Sequence, residues 1–321
     1  MILQLKDLKI HFKTEDGLAK AVDGVNFEIE KSETVALVGE SGCGKSLTAK
    51  AIIGILNSKN AEISGEINFE GQNLLKLKDS ELRKIRGKEI SMIFQEPMTS
   101  LNPALKVGYQ IDEIYRRHFN LSKKEAREKS IEMIAKVEIP SAKNIYKAYP
   151  HELSGGMRQR IMIAMALASD PKLLIADEPT TALDVTIQAE VLKLMMNLKK
   201  SMETSILFIT HDLGVVAEIA DRVLVMYAGK IIEKAKVEEL FRNPLHPYTK
   251  GLLKSRPLIG QEQKELFNIE GSVPSPVDFK ENCRFSDRCP FVMEKCKVKE
   301  PRPIEKDGHE VSCYLYGDKN E

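Results

Sequence analysis

The run Gly39-Glu40-Ser41-Gly42-Cys43-Gly44-Lys45-Ser46 places two glycines, a lysine and a serine at the spacing G-x-x-x-x-G-K-[ST]. Glycine lets successive backbone N–H groups turn inward and crowd one anion without Cβ clashes. Lys45 adds a point charge for β- and γ-phosphates, and Ser46 offers a hydroxyl to Mg²⁺. The chemistry is binding of a nucleoside triphosphate, with Gly39, Ser41, Gly42, Cys43, Gly44, Lys45, Ser46 and Leu47 as the expected contacts. Cys43 fills a position that the motif leaves free, so it reads as a small tolerated side chain rather than a redox group. Further along, Leu173-Leu174-Ile175-Ala176-Asp177-Glu178 is an apolar run ending in two carboxylates. Asp177 suits Mg²⁺ held through water, and Glu178 suits a general base for an attacking water.

These residues need a frame. The apolar run Thr34–Val38 reads as a buried strand before the glycine loop, and Leu47–Ile53 as a helix after it. That helix would aim its positive end at the phosphates. Ser154-Gly155-Gly156 reads as the start of a second helix, continuing through Ile161. Its exposed N–H donors and serine hydroxyl make another anion site, which one chain cannot easily fold onto the same phosphate.

Together these motifs resemble the nucleotide-binding subunit of an ABC transporter, over roughly residues 1–250. Leu153-Ser154-Gly155-Gly156 matches that family's signature, and Gln95 in Ile93-Phe94-Gln95-Glu96-Pro97 matches its Q-loop. Ala182-Leu183-Asp184 matches the D-loop, and His211 in Ile209-Thr210-His211-Asp212 matches the switch histidine. Phe12 is placed like the aromatic that stacks on adenine. The resemblance implies a head-to-tail dimer in which ATP lies between one subunit's P-loop and the other's Ser154, Gly155, Gly156 and Gln159. It also implies that Gln95 senses Mg²⁺ and water, that His211 contacts the γ-phosphate, and that Ser46, Gln95 and Asp177 serve Mg²⁺.

The expected fold class is α/β: a P-loop NTPase core of the ABC ATPase type over 1–255, with an antiparallel β subdomain and a helical subdomain at about 96–160. The helical part includes Lys123–Val137, with apolar residues at helical spacing. A loop signal at Gly271-Ser272-Val273-Pro274-Ser275-Pro276 falls inside a second expected part, a small cysteine-rich C-terminal domain over 256–321.

The chain has 321 residues, 42% of them hydrophobic, and 48 basic against 47 acidic residues for a net charge of +1. That balance argues against nucleic acid as a partner. The opening Met1–Leu8 alternates like a strand and does not resemble a signal peptide. The longest apolar run, Ile161–Ala168, is far shorter than the roughly 20 residues that cross a bilayer. The expectation is a peripheral protein at the cytoplasmic face of the membrane, working with separate transmembrane permease subunits, a second ATPase subunit and, indirectly, an extracytoplasmic substrate-binding protein.

Four of the five cysteines, Cys283, Cys289, Cys296 and Cys313, cluster as C-x5-C-x6-C-x16-C. Disulfides suit a reducing cytosol poorly. A short tail needs a staple, and thiolates around a metal would supply one. Close C-x2–4-C pairs of zinc sites are missing, so the wider spacing favours a [4Fe–4S] cluster over zinc or free thiols. Gly271-Ser272-Val273-Pro274-Ser275-Pro276 followed by Cys283-Arg284-Phe285-Ser286-Asp287-Arg288-Cys289-Pro290 and Cys296 is similar to the C-terminal extension of dipeptide and oligopeptide importer ATPases. The run His246-Pro247-Tyr248-Thr249 and the run Glu96-Pro97-Met98-Thr99-Ser100-Leu101-Asn102-Pro103 after the Q-loop also resemble that subgroup. That resemblance implies peptide import. The alternatives are an importer ATPase for nickel or sugar, a soluble ABC protein acting on ribosomes or DNA, and a metal-bearing regulator that uses ATP as a switch.

Overall fold

The computed structural model describes residues 1–56, 60–95, 100–180, 184–255 and 268–317. The runs Glu96–Thr99 and Ala182-Leu183 lie outside the described residues. The chain divides into two compact units. One comprises Met1–Ile2, Ile29–Glu33 and Lys76–Phe208, and the other Leu3–Glu28, Thr34–Leu75 and Ile209–Glu321.

The second unit begins with strands β1 (Leu3–Thr14) and β2 (Gly17–Ile29). With β4 (Ala61–Phe69) and β5 (Gln72–Asn73) they form a sheet in the order β2-β1-β4-β5. The register Leu3↔Phe69 to Phe12↔Ala61 breaks between Lys6 and Lys9. Asp7 there adopts φ 47, and its N–H donates to Asn26 Oδ1 at 2.9 Å. The extra residue reverses the parity of the strand. Leu3 and Leu5 face inward before the bulge, and Leu8 and Ile10 after it.

The same unit holds β3 (Thr34–Val38), every residue of it buried. It runs parallel to β9 (Arg222–Tyr227), with Val35↔Arg222 through Val38↔Val225 in register. A strand buried on both faces needs a continuous apolar run, which is what Val35–Val38 supplies. Strand β10 (Lys230–Lys236) pairs antiparallel with β9. Two tail strands then continue this sheet: β12 (His309–Val311) pairs with β10, and β11 (Ile304–Lys306) with β12. Asp307 at φ 51 and Gly308 at φ 74 close that hairpin, the turn an Asp-Gly pair favours. Here the structure corrects an expectation. The cysteine-bearing tail is not a separate small domain: its described residues cluster with the P-loop half.

The first unit carries β6 (Ile90–Ile93), β7 (Leu173–Asp177) and β8 (Ser205–Thr210) as far as Phe208, adjacent in the order β8-β7-β6. Strands β6 and β7 run parallel from Ile90↔Leu173 to Ile93↔Ala176. Helices Val107–Phe119, Lys123–Lys136 and Gly155–Leu167 form its helical part. Ser122 starts the second by accepting from Glu125 N, with the Glu125 side chain returning to Ser122 N. Asp112 is 6% exposed and accepts from Ser130 Oγ and Tyr146 OH, each at 2.6 Å. A buried carboxylate with two hydroxyl donors pins the first two helices to each other and to Tyr146, at the end of the short helix Ala142–Ile145.

Candidate nucleotide site

The P-loop leaves β3 at Gly39, whose φ of 154 brings the backbone so close to β9 that a Cβ would stand 2.1 Å from Met226 O. Only glycine fits there. The loop ends at Gly44, which precedes helix Lys45–Ile52. Lys45 is 5% exposed, and its Nζ donates to Gly39 O at 2.7 Å and Glu40 O at 2.9 Å. The lysine is thus folded along the inner wall of the loop, while Ser41 and Gly42 are exposed and Ser46 and Leu47 half-buried. Cys43 is fully buried, and burial pushes its thiol up, so it stays protonated and inert. Phe12 lies half-buried near the end of β1.

In the other unit the parallel register does the positioning. Because Ile93 stands opposite Ala176, the chain two residues on brings Gln95 level with Glu178. Gln95 Nε2 donates to Glu178 Oε2 at 3.0 Å. Asp177, the last residue of β7, is 3% exposed. Glu178 adopts φ 48, a left-handed conformation that costs energy for a residue with a Cβ and is typical of functional turns.

Ser154 starts helix Gly155–Leu167, its Oγ accepting from Met157 N at 3.3 Å. Ser154 and Gly155 are exposed, and a Cβ on Gly156 would meet Ile187 Cγ2 at 3.0 Å. Gln159 is the residue placed otherwise than expected. It is 1% exposed and donates to Pro179 O, tying the signature helix to the turn that follows Glu178. Its side chain faces inward, so it is not offered to a nucleotide on another subunit. Asp184 Oδ1 accepts from Ile187 N at 3.0 Å and caps helix Val185–Met202. His211 is exposed just after β8. Asp212 beside it accepts from Gly214 N at 2.7 Å, which fixes the chain as it leaves the strand.

The family model described as ABC transporter matches residues 22–181, and that for the oligopeptide/dipeptide transporter C-terminal region matches 232–296. The oligopeptide transport ATP-binding protein AppD of Bacillus subtilis is 54% identical over 98% of this chain and 97% of its own length. The dipeptide transport ATP-binding protein DppD of the same organism is 48% identical over 100% of this chain and 96% of its own. The chain belongs to the ATP-binding proteins of oligopeptide and dipeptide ABC transporters. Among solved structures, the ATP-binding cassette MJ0796, a dimer bound to ADP and Pi, superposes with a TM-score of 0.66 at 27% identity, covering 74% of this chain and 99% of that one. CbiO1 of Clostridium perfringens matches with a TM-score of 0.63 at 30% identity, covering 75% of this chain and 91% of that one. The α/β P-loop fold of an ABC ATPase is therefore shown.

The tail of this ABC ATPase carries chemistry of its own. Cys283, Cys289, Cys296 and Cys313 all line one pocket, with Phe285 and Met293 among their neighbours. All four are free thiols. Burial, with the other three thiols adding to it, pushes Cys283 up to about 12, and burial likewise pushes Cys313 up to about 11. Among the described residues no group of three or more His, Cys, Asp or Glu could hold a metal ion, so the structure gives the expected iron–sulfur or zinc centre no direct support.

Sequence reasoning missed the tail's contacts with the P-loop. Arg288 Nη1 and Nη2 reach Glu40 Oε2 and Oε1 at 2.8 and 3.1 Å, and Tyr248 OH accepts from Glu40 N at 2.9 Å. The one local signal was Arg284 and Arg288, four apart and inside the cysteine segment.

Proposed function

We propose that this ABC ATPase binds MgATP at the P-loop and hydrolyses it, and that turnover drives import of dipeptides or oligopeptides through separate membrane-spanning permease subunits. The observation that carries the hydrolytic reading is the Gln95–Glu178 hydrogen bond of 3.0 Å. It sets the carboxylate of a left-handed turn residue beside a neutral amide at the end of β7, the position from which a general base acts on water. Lys45 serves the β- and γ-phosphates, Ser46, Gln95 and Asp177 serve Mg²⁺, His211 meets the γ-phosphate, and Phe12 stacks on adenine. Exposed Ser154 and Gly155, with half-buried Gly156, are the anion site for a nucleotide held by a second subunit, alike or different, and Asp184 orders the turn between the two. Peptide as cargo is supported by the names of the relatives and by the C-terminal match at 232–296.

Among the described residues no helix is long and apolar enough to cross a membrane. A peripheral position at the cytoplasmic face, with an extracytoplasmic binding protein delivering the peptide, follows from this reading. Four thiols around one pocket fit a [4Fe–4S] cluster held by Cys283, Cys289, Cys296 and Cys313. Soft thiolates suit iron and sulfide, and the bonds would staple the tail; ATP hydrolysis needs no electron from it.

The test is Glu178→Gln. The variant keeps MgATP binding, loses steady-state phosphate release and accumulates an ATP-bound dimer on gel filtration. Phosphate release at the wild-type rate would remove Glu178 as the base.

A further inference from the structure

Glu40 is the first variable residue of the P-loop, and the phosphate motif assigns it no task. Yet it is held at both ends. Its N–H donates to Tyr248 OH at 2.9 Å, and its carboxylate takes both terminal nitrogens of Arg288. Arg288 is itself fixed, its side chain 6% exposed, with Nε on Glu270 O at 2.9 Å and Nη2 also on Ile269 O at 3.1 Å. Tyr248 is fully buried, its ring 4.7 Å from Tyr227 and 5.5 Å from Phe285. A second arginine of the same short segment acts on the other side of the loop. Arg284 donates to Ala228 O at 2.5 Å and pairs with Asp23. The next residue, Gly229, donates its N–H to Cys43 O at 2.9 Å. The segment Arg284–Arg288 therefore binds the start of the P-loop directly, through Glu40, and its far end only by way of the Ala228-Gly229 turn.

We propose that Arg288 is a positioning residue for nucleotide binding: through Glu40 it holds the P-loop in its phosphate-binding shape, so the C-terminal extension sets the affinity for MgATP. The inference rests on the ATP-binding reading above. A glycine-rich loop loses conformational entropy when it closes on phosphate, and a loop already held loses less. A bidentate guanidinium–carboxylate pair fixes direction as well as distance, which a lysine in the same place would not.

The experiment measures MgATP binding to the full chain by calorimetry for the wild type, Arg288→Gln, Glu40→Gln, the double variant and Arg288→Lys, with thermal unfolding recorded for each. Arg288→Gln is the gentler change, because it strands a partly exposed carboxylate, whereas Glu40→Gln strands a buried guanidinium. The expected result is a Kd raised about tenfold in Arg288→Gln and no further in the double variant, with Arg288→Lys in between. In turnover, KM for ATP rises more than kcat falls. A purely structural pair gives the opposite split, a lowered unfolding midpoint with an unchanged Kd in the folded protein, and that result overturns the proposal. So does full additivity of the two single changes. Lys45→Ala is the control for the underlying reading: a wild type that binds MgATP no better than this variant fails that reading, not the strap alone.

Discussion

At the scale of single residues, Ser154 separates two roles that serine can play at a helix start. Its hydroxyl caps the signature helix through Met157 N, and it is exposed where a second subunit's phosphate would approach. Aspartate caps a helix as well as serine does, but its charge repels a phosphate. Ser154→Asp is therefore expected to keep the thermal midpoint and the monomer's affinity for MgATP while turnover falls about a hundredfold, the usual cost of losing one preorganised anion contact. Near-normal turnover in that variant would reduce Ser154 to a cap. The phosphate-handling residues were legible in the sequence because triphosphate chemistry dictates residue types at fixed local spacing, as at Gly39–Ser46. The Arg288–Glu40 pair was not, since its members stand 248 residues apart and only the tertiary fold joins them. Gln159 was misread for a related reason. Its place on the signature helix was plain, but which way it faced depended on Pro179, brought alongside by packing.

Among the elements, helix Pro247–Lys254 shows how the run His246-Pro247-Tyr248-Thr249 is spent on structure. His246 Nδ1 accepts from Tyr248 N at 3.1 Å, which requires an unprotonated ring nitrogen. Its N–H donates to Glu233, a fully buried carboxylate that also takes Leu245 N and His309 Nδ1. This carboxylate joins β10, the start of the helix and tail strand β12 at one point. Burial, reinforced by the positive charge of Lys250, pushes His246 down to about 3. The unfolded chain titrates this group near 6.5, so below that pH the unfolded state binds a proton that the folded state refuses. Stability from this residue is complete above about pH 6.5 and drains as pH falls towards 3. His246→Asn keeps a capping acceptor without the titration. Between pH 7 and pH 5 the variant should lose about 2 kcal/mol less than the wild type in urea unfolding. Parallel curves for the two proteins would show that another group carries the acid sensitivity. Strands such as Thr34–Val38 were legible because a doubly buried strand must be apolar throughout. The hairpin Ile304–Val311 carried its signal in Asp307-Gly308, but its alternation is too short to stand out without β10 beside it.

On the scale of the molecule, the C-terminal region is part of the ATPase rather than an appendage. Pro276 O accepts from Lys20 N on β2, Arg284 and Arg288 reach the P-loop region, and β12 extends the sheet that contains β3. Around its four cysteines, however, regular structure is scarce: one helix of five residues, Glu294–Val298, and short turns. So little secondary structure leaves the segment dependent on a cross-link. Burial is what raises Cys283, Cys289 and Cys313, with Lys250 offsetting it only in part at Cys313, and a bound iron–sulfur core would reverse that by binding the thiolates. Protein purified without oxygen is expected to contain about four iron and four sulfide per chain and to absorb broadly in the visible. If the four thiolates hold such a cluster, treatment with a chelator under reducing conditions should lower the thermal midpoint, because the cluster would bind only the folded tail. It should also weaken MgATP binding in the wild type but not further in Arg288→Gln, since Arg288 is the direct link from Cys289 to the P-loop. Colourless protein with no iron, and a midpoint indifferent to chelation, would leave four packed thiols as the whole of the centre.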